Sequence, residues 1–391
     1  MIKRESYIER IRPFIAKDIV KVITGLRRSG KSVMLDLIKS EINVPERSIY
    51  INFESKKNVN LKNADSLYDY IIKLVSNSSN KWYLFLDEIQ EVENWEKAIN
   101  SFRVDFDADI YITGSNAKLL SGELATLLSG RYVQFIIYPL SFKEFIQLNE
   151  SKNFMDYLKY GGMPFLHNII DNDDAVAIYL EDIYNSVVLK DVVKRNNIRD
   201  VDLLERIITF VLANIGNTFS ANSISKYFKN EQRTISTDTV LNYLKACEDA
   251  YMFYKLKRQD IKGKKILEVS EKYFIADHGL REAVYGKHME DIGLILENIV
   301  CIELLRRGYS VTVGNVDNEE VDFIGIKNNE TLYIQVAYLM PDKKTQEREF
   351  GSLLKISDNY PKFVVSMDEV SMSQNGIKHM NIKDFLLNDW V

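Results

Sequence analysis

The residues with the clearest chemical meaning form a glycine-rich loop, GLRRSGKS, which spans Gly25 to Ser32 and fits the pattern G-x-x-x-x-G-K-S. The strand-like run IVKVIT precedes the loop, and the helix-like run VMLDLIKS follows it. Such a loop wraps around a polyphosphate because glycine permits unusual backbone angles and the inward N–H groups donate. Lys31 would reach the β- and γ-phosphates, and the Ser32 hydroxyl would bind Mg²⁺. The candidate nucleotide-binding residues are Gly25, Arg28, Ser29, Gly30, Lys31, Ser32 and Val33.

A pair of carboxylates ends the next chemically informative run, KWYLFLDE, residues 81 to 88. An apolar strand that ends in two carboxylates is costly unless a cation or water meets them. Asp87 is the candidate Mg²⁺ ligand, and Glu88 is the candidate general base that polarises the attacking water. A solvated turn could also contain Asp87 and Glu88, but the preceding phosphate loop favours a site that binds Mg²⁺ and the attacking water.

Polar residues also end the strand-like run DIYITGSNA. Ser115 is the candidate for positioning the attacking water or sensing the γ-phosphate, with Thr113 as the alternative. An N-cap serine in a glycine-containing turn would look the same. Arg131, in LLSGRYVQF, could neutralise charge on a phosphate of its own chain or of a neighbouring subunit, although loop arginines are commonly solvated.

Four motifs occur in order: GLRRSGKS, FLDEIQEVENWEKAI, ITGSNAKLLS and GRYVQFIIYPLSFKEF. Together they resemble a prokaryotic AAA-type P-loop ATPase family of the additional-strand, catalytic-glutamate (ASCE) division, whose members carry a C-terminal domain of unknown function. The resemblance implies ATP and Mg²⁺ as cofactors and a sheet in which an inserted strand separates the phosphate-loop strand from the Asp-Glu strand. It also supports Ser115 as a sensor and Arg131 as a charge-stabilising residue.

Composition excludes several other classes of protein. The 51 basic and 56 acidic residues give a net charge of −5, so the chain is not a wholly basic nucleic-acid coat. Cys247 and Cys301 are far apart, which argues against a disulfide-stapled or zinc-ribbon protein. No uncharged apolar run approaches the roughly 18 residues that span a bilayer, and no apolar signal core begins the chain. These features predict a cytoplasmic protein without a membrane partner.

The middle of the chain has the pattern of a winged helix. A broad apolar stripe over 203–212 predicts its first helix, and FSANSISKYFK predicts the second, with Tyr227 facing inward. ISTDTVLNYLKACEDAY predicts the third, with Leu241 on the buried side. The hairpin that follows has a net charge of +5 from six basic residues and one acidic residue; its basic residues are Lys255, Lys257, Arg258, Lys262, Lys264 and Lys265. Residues 237–265 could therefore bind double-stranded DNA, or a protein partner.

The C-terminal segment resembles the core of the PD-(D/E)xK nuclease fold through Glu297, Asp322 and Gln335. In that fold, oxygen ligands bind Mg²⁺ and a lysine two positions after the last ligand helps to activate water. Ala337 occupies the lysine position here, and Lys343 or Lys344 are the possible substitutes. We therefore expect an inactive nuclease-like fold that is kept for binding.

The predicted fold class is α/β: a P-loop NTPase parallel sheet with a helical lid, a winged helix and a small nuclease-like domain. The predicted domains are the ATPase at 1–148, the lid or linker at 149–200, the winged helix at 201–285 and the nuclease-like domain at 286–391. The predicted function is a Mg²⁺-dependent ATPase whose nucleotide state controls the C-terminal modules. The alternative is a nucleotide-gated DNA- or protein-binding switch with negligible turnover. Either could act as a homo-oligomer.

Overall fold

The computed structural model describes residues 2–75, 80–117, 130–230, 235–263, 265–286 and 289–389. The chain divides into two compact units. The first contains Met1–Ile137 and Asp249–Tyr251, and the second contains Tyr138–Glu248 and Met252–Val391.

The first unit is built on a five-stranded parallel sheet. Its strands are β1 (Val20–Thr24), β2 (Ser48–Asn52), β3 (Trp82–Asp87), β4 (Ala108–Gly114) and β5 (Tyr132–Ile136). Their order is β2-β3-β4-β1-β5, with every neighbouring pair parallel. The runs IVKVIT, KWYLFLDE and DIYITGSNA are confirmed as strands β1, β3 and β4, and β4 separates β1 from β3 as the family resemblance implied. The carboxyl ends of β1, β3 and β4, which lead to the phosphate loop, Asp87–Glu88 and Ser115, therefore share one edge.

Helices cover this sheet, which explains why its strands are nearly continuous apolar runs. The helices are α1 (Glu5–Ile11), α2 (Lys31–Ile42), α3 (Ala64–Val75) and α4 (Trp95–Asp105), with 3-10 turns at Arg12–Phe14, Pro45–Arg47, Lys56–Leu61 and Ile89–Glu91. Leu84 and Ile112 from the strands share one buried cluster with Ile71 of α3 and Phe102 of α4. This core fixes β3 and β4, and with them the polar residues at their ends.

The second unit contains a mixed sheet of order β13-β12-β11-β10-β9-β7-β8-β6. Its strands are β6 (Thr218–Phe219), β7 (Phe253–Asp260), β8 (Lys265–Ile275), β9 (Ser310–Val316), β10 (Glu319–Lys327), β11 (Glu330–Val336), β12 (Lys362–Ser366) and β13 (Lys378–Asn381). Gln259 of β7 pairs with Gly314 of β9, so the hairpin continues into the C-terminal strands. One sheet thus spans the boundary predicted at 285/286, and the predicted domain boundaries remain predictions.

The helices of the second unit begin with α5 (Phe142–Leu148) and end with α14 (Ile382–Leu387). Between them lie α6 (Phe154–Tyr160), α7 (Asp173–Ser186), α8 (Val201–Ala213), α9 (Ala221–Asn230), α10 (Thr237–Asp249), α11 (His278–Tyr285), α12 (Ile292–Arg306) and α13 (Lys343–Leu354). A π-helix, Val187–Lys194, continues α7, and 3-10 turns occupy Pro164–Asn168 and Met289–Asp291. None of the helices in the described ranges is long and apolar enough to cross a membrane.

Two details of the predicted winged-helix segment are wrong. The apolar stripe over 203–212 is buried on α8 as expected, but Tyr227 is 46% exposed and Leu241 is 44% exposed. The buried face of α10 runs through Val240, Leu244 and Cys247, spaced by four and three residues. Leu241 lies about 100° around the helix from Val240, which places it outside a narrow buried face.

Candidate functional site

The phosphate loop connects the end of β1 to the start of α2 within the first unit. Gly25 opens the loop at φ +140°, and a Cβ at this position would lie 2.3 Å from the carbonyl oxygen of Ile137. A side chain is therefore excluded both by the backbone angle and by the neighbouring chain. This close approach lets the loop begin directly at the strand end.

Gly30 and Lys31 form the junction between the loop and α2. Gly30 has a left-handed backbone (φ 101°) at the N-cap, so the helix begins at Lys31. The Lys31 side chain is 4% exposed, and its Nζ donates to the carbonyl oxygens of Gly25 (3.3 Å) and Leu26 (3.2 Å). The ammonium is thereby held within the loop that it would serve. Of the other candidates, Ser29 is buried, Ser32 is half-buried, and Arg28 and Val33 are exposed.

Asp87 is a fully buried carboxylate at the end of β3. Its Oδ2 accepts hydrogen bonds from the Tyr50 hydroxyl (2.9 Å) and from Asn52 Nδ2 (2.7 Å) on the neighbouring strand. Its Oδ1 accepts from the Thr113 hydroxyl at 2.6 Å on β4. Burial, and then the Asp87 charge, raises the pKa of Tyr50 well above its usual value, so its hydroxyl stays protonated and can donate. The carboxylate is thus fixed from both sides of its strand.

Glu88 follows Asp87 with a left-handed backbone, at φ 56°. This conformation is strained for a residue with a side chain, and such strain is concentrated at functional sites. The Glu88 N–H donates to Thr113 Oγ1 at 2.8 Å. The carboxylate accepts a hydrogen bond from Gln90 and lies 3.8 Å from the Lys31 ammonium, measured from Oε1 to Nζ. The fold therefore brings the candidate base to the phosphate-loop lysine.

Ser115 and Thr113 occupy different positions at the end of β4. The register pairs Thr24 with Gly114, so the fully buried Ser115 lies next to the start of the phosphate loop. Thr113 contacts Asp87 and Glu88 directly. The candidate sensor and its alternative therefore both lie at this edge. Thr113 contacts the Asp87 carboxylate and the Glu88 N–H, and Ser115 lies beside the loop.

Two family models and two curated relatives match this chain. A family model described as an AAA domain matches residues 17–146, and a domain of unknown function (DUF8612) matches residues 151–291. An uncharacterized protein of Haemophilus influenzae is 42% identical over 99% of both chains. An uncharacterized protein of Methanocaldococcus jannaschii is 31% identical over 93% of this chain and 85% of its own. This chain belongs to that family of AAA-domain proteins.

The fold of the AAA-domain family is also found among solved structures. The Walker-type ATPase PABY2304 of Pyrococcus abyssi superposes with a TM-score of 0.52 at 12% identity, over 72% of this chain and 95% of that one. At this identity the likeness shows the fold alone. The AAA domain is therefore a P-loop ATPase fold, which suggests nucleotide binding.

Arg131 is the one site candidate in the AAA domain that the structure keeps apart from the others. Its carbonyl oxygen accepts from the Val20 N–H at 2.9 Å, at the amino end of β1. The phosphate loop begins after Thr24, about 13 Å further along the strand. Arg131 therefore lies at the opposite edge of the sheet from the phosphate loop of its own chain.

Several residues of the site were missed by sequence reasoning. Tyr50 and Asn52 carry no motif, although their alternation in SIYIN signals that both face the same side of a strand. Arg4 is more distant: it is 5% exposed, its Nη1 donates to the Ser29 carbonyl oxygen at 3.1 Å, and its guanidinium lies 4.7 Å from the Tyr7 ring centre. No pattern in the sequence connects Arg4 to the loop.

The basic hairpin of the second unit is partly neutralised. Lys255 lies 3.3 Å from Glu271 and 3.8 Å from Glu248, and Lys262 lies 2.6 Å from Asp317. Lys257 and Lys265 are exposed, and Arg258 is half-buried. Lys264 lies outside the described residues. The hairpin therefore presents less positive charge than its composition indicates.

The nuclease-like candidates lie together in the mixed sheet and α12. The Asp322 N–H donates to Gln335 Oε1 at 3.4 Å. Ala337 is buried, whereas Lys343 and Lys344 are exposed at the start of α13. A different lysine, Lys272 of β8, lies 3.5 Å from Glu297 and 4.0 Å from Asp322. Sequence reasoning missed it because it is 25 residues from Glu297 along the chain.

We predict that Arg4→Met weakens ATP binding about tenfold, because it removes a charge-assisted hydrogen bond of roughly 1.5 kcal/mol that holds the loop carbonyl of Ser29. Methionine retains an unbranched apolar side chain but also removes the guanidinium contact with the Tyr7 ring. Fluorescent-nucleotide titration measures the affinity. The control is Lys3→Met, because Lys3 is exposed and adjacent in sequence. Equal affinities for the two variants would show that Arg4 does not support the loop.

Proposed function

We propose that the AAA domain binds ATP with Mg²⁺ and hydrolyses it. The observation that carries this proposal is the single hydroxyl of Thr113, which contacts both Asp87 and Glu88 at the strand end. Strand β4 lies between β3, which ends at Asp87, and β1, which leads into the phosphate loop. Glu88 Oε1 lies 3.8 Å from Lys31 Nζ in that loop. A fixed carboxylate, a candidate base and a buried ammonium are the groups that phosphoryl transfer to water requires.

Ser32 and Asp87 are the residues that would hold Mg²⁺. A hydroxyl and a carboxylate are hard oxygen donors, which Mg²⁺ prefers, and the Asp87 contacts keep its carboxylate in a defined position. Mg²⁺ bound to phosphate oxygens neutralises developing charge. Lys31 would neutralise the terminal phosphates, Glu88 would accept a proton from the attacking water, and Ser115 would sense the γ-phosphate.

Arg131 could stabilise phosphate charge only in the nucleotide site of a neighbouring subunit. Its position at the opposite edge of the sheet separates it from its own phosphate loop, so a charge-stabilising role requires a homo-oligomer. The lid at 149–200 and the cytoplasmic location likewise remain proposals.

We predict that Lys31→Ala and Glu88→Gln separate binding from turnover. Lys31→Ala removes the buried phosphate-binding charge and should weaken ATP binding by about a hundredfold or more. Glu88→Gln should bind ATP with near wild-type affinity and hydrolyse it about 10²–10⁴-fold more slowly, the usual contribution of a general base. Calorimetry measures binding, and phosphate release measures turnover.

Lys39→Ala on α2 is the matched control, because Lys39 is half-buried on the same helix outside the loop. It should leave both quantities nearly unchanged. Wild-type turnover by Glu88→Gln would mean that the base is assigned to the wrong residue.

We infer that the nucleotide state reaches the C-terminal modules through Tyr251. Gln134 Nε2 donates to both Thr24 Oγ1 (2.9 Å) and the Tyr251 hydroxyl oxygen (2.7 Å). Thr24 immediately precedes the phosphate loop, and Tyr251 connects α10 to β7 along the chain. Burial raises the pKa of Tyr251 to about 12, so its hydroxyl stays neutral at physiological pH. A conformational change at the phosphate loop would therefore shift Tyr251, at the junction between α10 and β7.

We predict that Tyr251→Phe uncouples these elements from the nucleotide. The variant should bind ATP within about threefold of wild type, because it loses one neutral hydrogen bond outside the loop. Hydrogen exchange over residues 237–260, compared with and without a non-hydrolysable ATP analogue, should lose most of its nucleotide-dependent change. Tyr243→Phe, on α10 itself, serves as the control. An unchanged exchange difference in Tyr251→Phe would exclude this route.

The alternative function is a nucleotide-gated DNA-binding switch with negligible turnover. The exposed Lys257 and Lys265 are the lysines that favour it, because they could lie along a phosphate backbone. A protein partner could contact the same lysines instead.

The DNA alternative predicts a mobility shift of duplex DNA at low salt. Lys257→Gln combined with Lys265→Gln should weaken the shift and reduce the slope of log affinity against log salt by about 2. Lys262→Gln should change little, since Asp317 already pairs with that ammonium. The absence of any shift at low salt would exclude the DNA role.

A further inference from the structure

Lys272 is a buried ammonium in the middle of an acidic cluster of the second unit. It is 3% exposed and belongs to β8, the second strand of the hairpin. Its Nζ lies 2.6 Å from Glu320 Oε1, 3.5 Å from Glu297 Oε2 and 4.0 Å from Asp322 Oδ1. Three carboxylates from α12 and β10 therefore surround one ammonium. A buried charge is tolerated only when it is paired in this way.

The surroundings of the cluster are also ordered by hydrogen bonds. Asp322 Oδ2 accepts from the Val336 N–H at 2.8 Å, and the β9–β10 register shifts between Val321 and Ile324, which aims Asp322 at the cluster. Gln335 Nε2 donates to Glu349 Oε2 at 3.3 Å. Burial raises the pKa of both Glu297 and Asp322 above their usual values.

Glu297 and Asp322 are the carboxylates that would bind Mg²⁺ in the nuclease-like core, but with Lys272 close to both they are not arranged around a metal ion. Within the described parts of the chain, no group of three or more His, Cys, Asp or Glu residues is placed to hold one. Mg²⁺ takes about six oxygen ligands at roughly 2.0–2.1 Å, and several of these are usually waters, so one or two carboxylates suffice where no ammonium lies among them. An ammonium between the same carboxylates satisfies them at hydrogen-bond and ion-pair distances and repels a second cation.

We propose that the Lys272 ammonium is the resident cation of this core, in the place that a divalent ion would take, so that the nuclease-like fold holds no divalent metal ion. This explanation differs from the loss of a lysine at Ala337. It attributes the expected inactivity to a cation that is present, so restoring the lysine at 337 would not restore DNA cleavage. The proposal does not depend on the nucleotide chemistry of the AAA domain.

The test measures Mn²⁺ binding by the full chain from the electron paramagnetic resonance signal of the free ion, without nucleotide. Every arm carries Asp87→Asn, so the candidate ligand of the AAA domain does not contribute. Lys272→Met keeps an apolar stem and removes the charge. It should gain about one Mn²⁺ per chain, and added Asp322→Asn should abolish that gain. Lys265→Met, at the exposed start of the same strand, is the control and should gain none.

The arms that retain Lys272 make the test decisive. The chain that retains Lys272 should show no Asp322-dependent Mn²⁺ binding, either by itself or with Ala337→Lys added. Neither of these two proteins should cut supercoiled plasmid. Circular dichroism checks folding, and Lys272→Gln replaces Lys272→Met if that variant does not fold. Asp322-dependent Mn²⁺ binding with Lys272 intact would overturn the proposal. So would a folded Lys272→Met or Lys272→Gln chain that binds no Mn²⁺.

Discussion

The site of the AAA domain depends on one physical constraint, the burial of the Asp87 carboxylate at the end of an apolar strand. A buried carboxylate is very unfavourable unless its oxygens accept hydrogen bonds. Tyr50, Asn52 and Thr113 donate them, from the strands on either side. The strand order β2-β3-β4 places a donor-bearing strand on each side of β3, and both strands donate hydrogen bonds to Asp87.

The second unit also contains a buried charge that needs partners, and here the charge is positive. Lys272 is an ammonium that is nearly inaccessible to water, and carboxylates of α12 and β10 compensate it. Because Lys272 comes from the hairpin and its partners from the C-terminal segment, the ion pairs join the two regions across one continuous sheet. A buried lysine that lost these partners would be destabilising, which ties the hairpin to this position.

Much of the AAA domain was predictable because its signals are local. Each strand is a short apolar run, and the phosphate loop needs glycine at particular backbone angles, as Gly25 and Gly30 show. The inward position of Tyr227 and Leu241 was predicted wrongly because a helical stripe read from sequence does not reveal how wide the covered face is. The width of that face depends on the elements that pack against it.

The phosphate loop, the Asp87–Glu88 pair and their strands were predictable from the sequence alone, because residues adjacent in the chain specify each of them. Only the tertiary structure decided which side chains meet. It brought Thr113 to the Asp87 carboxylate and the Glu88 N–H, Arg4 to the loop and Lys272 to Glu297, and it placed Arg131 at the opposite edge. Contacts of this kind depend on strand order and register between distant segments, and no single stretch of sequence encodes those quantities.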